Sequence, residues 1–114
     1  MQDRRSNSRH QLIADVKVQP VAGSLWVPGA LTNISHSGIC IYSSGTIREG
    51  EKVTIRMSCL KDGKMQDVEE VHGVVRWTKS VGAYFACGIM FAEEIDRSRF
   101  PSIAKCLVYA RQNA

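Results

Sequence analysis

Val53-Thr54-Ile55-Arg56-Met57-Ser58-Cys59-Leu60-Lys61-Asp62-Gly63 decides the architecture. Val53, Ile55, Met57 and Cys59 alternate with Thr54, Arg56 and Ser58. A period of two sends one row of side chains into a core and the other into water, as a half-buried strand does. Asp62-Gly63 then suits the positive backbone angles of a type I′ hairpin turn. The return strand should carry Val71, Gly73, Val75 and Trp77 on one face and His72, Val74, Arg76 and Thr78 on the other.

The same reading extends in both directions. Upstream, Ala14, Val16 and Val18 alternate with Asp15, Lys17 and Gln19, and Pro20 ends that strand. Pro28-Gly29 is expected to punctuate a loop before Ala30–Ile34 leads into a polar turn. Gly38–Tyr42 resumes as an apolar strand bounded by Ser43-Ser44-Gly45. Downstream, Tyr84–Phe91 aligns Phe85, Cys87, Ile89 and Phe91. After Asp96 the period lengthens, with Phe100, Ile103, Leu107 and Ala110 recurring at helical spacing. Pro101 is tolerable only in a first turn, which starts the helix near Ser98. Lys105 and Arg111 near its end suit the helix dipole.

The expectation is a mainly β chain. A six-stranded antiparallel β-barrel over residues 11–92 is followed by a C-terminal α-helix over residues 97–112 that covers an open end or a flank. Closure removes the exposed strand edges that six short strands would otherwise present.

With 114 residues the chain reads as a single domain over 1–114. Hydrophobic residues make up 44% and charged ones 23%, which suffices for one modest core. A net charge of +4 favours an anionic partner without demanding a nucleic acid. Cys40, Cys59, Cys87 and Cys106 form no close pair, which argues against zinc and redox motifs. They are expected to be reduced, small core residues of a cytoplasmic protein. The amino terminus has no apolar segment of the secretory kind. No apolar run is long enough to cross a bilayer, so no membrane insertion is expected.

Nothing in the chain resembles a nucleophile elbow, a phosphate-binding glycine loop or a metal motif, and none of His10, His36 or His72 has a ligand partner at useful spacing. Glu69-Glu70 and Glu93-Glu94 are neighbours that point to opposite faces of an extended chain, and they read as solvated surface. The chain is therefore expected not to be an enzyme. Anion binding fits better. Arg4, Arg5 and Arg9 lie in a polar segment, residues 1–10, that should be flexible alone. Guanidinium forks onto phosphate and stacks on bases. Taken by itself, that segment reads first as an ordinary basic tail. In Asn33-Ile34-Ser35-His36-Ser37-Gly38, Asn33 and Ser35 offer side-chain oxygens and Gly38 permits close approach or a positive φ. The same residues also make a plain loop that caps its own backbone.

Arg-x-x-x-Arg, a strand, then Asn-x-Ser-x-x-Gly opening the next strand resembles the PilZ domain, the bacterial receptor module for cyclic di-GMP. The resemblance extends through Gly73-x-Val75-x-Trp77, the Gly88–Phe91 strand and the terminal helix. It implies a PilZ-like barrel of the split-barrel type, a nucleotide-binding signalling receptor and outputs such as motility or biofilm formation. It implies that Arg5 and Arg9 grip phosphate and guanine, and that Asn33, Ser35 and Gly38 form the guanine-side turn. Asn33 stands where Asp is commoner, which should weaken its hold on the guanine edge. Trp77 could offer an aromatic surface beside the ligand, though a core or barrel-rim position is an equal reading. His36 would lie at the rim.

Arg4, just before the first motif arginine, points to two cyclic di-GMP molecules per protomer. The implied mechanism is that residues 1–10 order over the barrel on binding and alter a protein partner. The alternative is a ligand-independent PilZ-like adaptor in pilus or flagellar systems. A barrel for single-stranded nucleic acid would interleave aromatics and cations along its strands. At 7% aromatic residues, several of them core-facing, no nucleic-acid partner is expected.

Overall fold

The computed structural model describes residues 14–61 and 63–112. The expectations for residues 1–10, for the start of the first strand and for Asp62 fall outside these residues. Among these residues seven strands and one helix follow in order: β1 (Ala14–Pro20), β2 (Val27–Ile34), β3 (Gly38–Ser43), β4 (Lys52–Lys61), β5 (Lys64–Met65), β6 (Glu69–Val81), β7 (Tyr84–Phe91) and α1 (Pro101–Gln112). All pairings are antiparallel in the order β1-β2-β3-β7-β6-β4, and β1 pairs again with β4 to close the barrel. The six-stranded barrel is as expected. β5 is an extra two-residue strand, paired through Leu60↔Met65 and Lys61↔Lys64. Gly63 takes a φ of 78° in that hairpin, which an L side chain rarely adopts.

Alternation in β4 sets the core. Val53, Ile55, Met57 and Cys59 are fully buried, as are Val16 and Val18 opposite them on β1. Ile39 and Ile41 of β3 and Cys87 and Ile89 of β7 fill the interior from the other side. Pro28-Gly29 is not a loop but part of β2, a correction. The first β2–β3 partners are Gly29 and Ser43, so the missing N–H of Pro28 breaks no bond of that ladder.

Strand direction alternates around the barrel, so one end gathers the start of β1, the β2–β3 turn, the end of β7, the start of β6 and the end of β4. The helix lies across this end. Phe100, Ile103, Cys106 and Leu107 join the barrel's single apolar cluster. The helix begins at Pro101, three residues later than the start near Ser98. Residues 96–99 instead form a capped turn, in which Asp96 Oδ1 accepts from the Ser98 hydroxyl at 2.7 Å and from the N–H groups of Ser98 and Arg99 at 2.9 and 2.8 Å.

Two further expectations are corrected. Cys59 and Cys106 are joined as a disulfide with a Cα–Cα distance of 6.1 Å, which ties β4 to the helix. Their separation of 47 residues hid the pairing from any spacing rule. Cys40 and Cys87 are free thiols. The glutamate pairs are not plain solvated surface. Glu69 caps the helix, accepting from Ser102 N–H at 2.7 Å and Ile103 N–H at 2.8 Å. Glu93 accepts from His72 N–H at 2.8 Å and from Arg99 at 2.7 Å. Glu70 pairs with Arg56 at 2.7 Å, and Arg56 also lies 4.2 Å over the Trp26 ring.

Candidate functional site

The β2–β3 turn is built by its own polar side chains. Ser35 N–H donates to Gly38 O at 2.9 Å and closes the hairpin. Ser37 N–H donates to Ser35 Oγ at 3.2 Å, and the two hydroxyls lie 3.0 Å apart. Ile34 N–H donates to Asn33 Oδ1 at 2.9 Å. The self-capped loop of the sequence reading is thus realised, and it fixes where these groups sit. Ser37 O accepts from Phe91 N–H at 2.8 Å, anchoring the turn to the end of β7. Gly38 is needed for space rather than for a positive φ: a Cβ there would collide with the Ile89 carbonyl on β7. Its close approach is to the neighbouring strand.

Two bulges aim the site. In β2 the register steps between Leu31 and Asn33, which pair with Ile41 and Cys40, so Thr32 is the extra residue. Its hydroxyl donates to Cys40 O at 3.1 Å. In β6 the register steps between Val75 and Trp77, which pair with Ile89 and Gly88, so Arg76 is extra. Each insertion turns the next side chain to the opposite face of the sheet. Trp77 therefore leaves the face of Val71, Gly73 and Val75, which corrects the alternation read from the sequence. Asn33 leaves the face of Leu31 in the same way.

Asn33, Cys40, Gly88 and Trp77 then form one row across four strands on the outer face of the barrel. The Trp77 indole lies over Gly88, where a Cβ would collide with it, and the residue is 43% exposed. This row and the turn line a cavity of about 310 Å³.

Of the residues singled out in the sequence, Asn33, Ser35, Gly38 and Trp77 line this one cavity, while His36 is exposed and not part of its wall. Arg4, Arg5 and Arg9 lie outside the described residues. Ser37, Cys40, Arg76, Gly88 and Met90 also line it. Of these, Ser37 lay inside the quoted turn, and Gly88 and Met90 lay in the Gly88–Phe91 stretch of the resemblance. Arg76 was missed because its place follows from the bulge.

Among the described residues no carboxylate lines the cavity. An indole face, one guanidinium, an amide and two hydroxyls together suit a flat heterocycle that carries negative charge and hydrogen-bonding edges.

A family model matches residues 3–108 as the PilZ domain, which covers most of the sequence. The chain belongs to the PilZ family, a family of cyclic di-GMP receptors. Among curated proteins no match is found. Among solved structures the barrel is similar to the Bacillus subtilis inhibitor of motility MotI/DgrA, with a TM-score of 0.60 at 18% identity. The likeness covers 91% of this chain and 51% of that one, so the chain spans about half of its neighbour's length.

Proposed function

We propose that this chain binds cyclic di-GMP at the outer-face cavity and acts as a non-enzymatic signalling receptor. The observation that carries the reading is the cross-strand row Asn33–Cys40–Gly88–Trp77 beside the Ser35–Gly38 turn, which gathers the family's turn residues and an aromatic face at one place. Two bulges spend regular strand geometry to make that row.

The topology supports a role for the arginines as well. β1 begins with Ala14 at the barrel end that holds the polar turn, and β1 is the neighbour of β2. Arg5 and Arg9 are assigned to phosphate and guanine, Asn33 and Ser35 to the guanine edge, Trp77 and Arg76 to the base face. The Asn33 oxygen already accepts one N–H, leaving one lone pair for a ligand. Arg4 is assigned to a second, stacked cyclic di-GMP.

Ordering residues 1–10 costs on the order of 10 kcal/mol in backbone entropy, which several charge-assisted contacts and base stacking offset. The ordered segment would alter contact with a protein partner. An effect on motility, the output named for the structural neighbour, is the first to examine, and a cytoplasmic setting is part of the same reading.

Titration calorimetry with cyclic di-GMP tests it. The intact chain should bind two molecules, and Arg4→Ala should bind one. Arg5→Ala or Arg9→Ala should lose most affinity while the thermal midpoint of the free protein stays unchanged. Hydrogen exchange of residues 2–10 should slow with ligand. Absence of both heat and thermal stabilisation at excess ligand would overturn the receptor reading.

A further inference from the structure

Beyond the cavity, the outer face of β3, β7 and the distal half of β6 carries a second feature. Its rows are Ala30–Tyr42–Ala86–Lys79 and Tyr84–Val81, with Met90 on the turn side. Tyr42, Trp77, Val81, Tyr84 and Met90 are half of the ten large hydrophobic residues that are exposed among the described residues, and they share this one face. Tyr42 stands between two alanines, which leave its ring uncovered and 46% exposed. The patch spans three strands and about six residues, roughly 10 by 20 Å from strand spacings.

Charge on the face has one sign. Neither residues 16–48 nor residues 71–92 contain an Asp or Glu, while Arg76 and Lys79 both lie on this face. Tryptophan, tyrosine, methionine and arginine are the residues enriched at the centres of protein interfaces. Five such side chains on one face, flanked by two cations, make it a candidate for the centre of a contact.

We propose that this face docks a protein partner whose surface presents an apolar centre rimmed by Asp and Glu. A second copy of the chain is a poorer occupant, because isologous pairing would set Arg76 and Lys79 against each other with no carboxylate between them. Nucleic acid is poorer too. Two cations neutralise few phosphates, so the electrostatic share of a nucleic-acid affinity would be small. Arg76, Trp77 and Met90 also line the cavity, so the proposal is carried by Tyr42, Lys79, Val81 and Tyr84, which do not, and it holds with the cavity empty or filled.

A random-peptide display library selected against the folded full chain provides the test. Selected peptides should combine aromatic or aliphatic residues with Asp or Glu. Their binding should shift the amide signals of β3, β7 and β6. It should fall about tenfold or more with Tyr42→Ala, Tyr84→Ala or Lys79→Glu, and stay unchanged with Leu25→Ala, whose side chain is exposed in the β1–β2 loop. Should an alanine variant unfold, Lys79→Glu alone decides, since that side chain is exposed. Peptides without acidic residues, or binding that survives all three substitutions, would overturn the proposal. So would a dimer in the ultracentrifuge that Tyr42→Ala disperses, or oligothymidine moving the same amides.

Discussion

At Trp77 the two-residue period is broken by one added residue, Arg76, and an indole that alternation would send into the core lies instead over Gly88 in the wall of a cavity. Asn33 is redirected in the same way by Thr32. Nothing in the sequence marks either insertion. A bulge is a mismatch between two strands, and each strand read alone is regular. Gly38, by contrast, was legible as a residue that must be small, though its reason is the carbonyl of Ile89. Gly38→Ala should therefore cost about 1–3 kcal/mol in urea denaturation through overpacking. Ser102 gives the opposite expectation. Its hydroxyl is buried without a hydrogen-bond partner at the second residue of α1, so Ser102→Ala should hold or raise the urea midpoint.

The helix illustrates how an element's existence and its anchorage come from different places. Its apolar spacing and Pro101 were readable, because periodicity is local. Its cap was not, because Glu69 lies 33 residues before Ser102 and reaches it only through the barrel. Glu69→Gln keeps the shape and removes the charge. It should lower stability by about 1 kcal/mol in urea denaturation, and Glu69→Ala by more.

The connection into the helix also sets a response to acid. The His72 backbone N–H, joined by the Arg99 and His72 side chains, holds the Glu93 carboxyl below its usual range. The Ser98 hydroxyl and the Arg99 N–H do the same for Asp96. A carboxyl lowered in the folded state stabilises fully above its unfolded value, about 4 for Asp and Glu, and the effect is lost as pH falls through the lowered value. Thermal midpoints measured from about pH 6 down to about pH 3 should fall less steeply for Glu93→Gln than for the parent.

Across the whole molecule, closure of β1 on β4 leaves no free edge in the six-stranded barrel, and the disulfide fastens the helix to the same strand. Closing a loop of 47 residues removes denatured-state entropy worth up to about 4 kcal/mol at room temperature. Urea midpoints with and without a phosphine reductant should differ in that direction, and Cys59→Ser should abolish the difference. Whether the bridge persists depends on the compartment, since reducing conditions open such pairs.

By itself the sequence determined the strand periods, the amphipathic helix and the residue types of the turn, because each follows from spacing within one element. Cys59 pairing with Cys106, Glu69 capping α1, and the row of Asn33, Cys40, Gly88 and Trp77 were decided only by tertiary structure. Each joins residues on different elements. Their meeting depends on strand order and on two one-residue register shifts, which no single strand encodes.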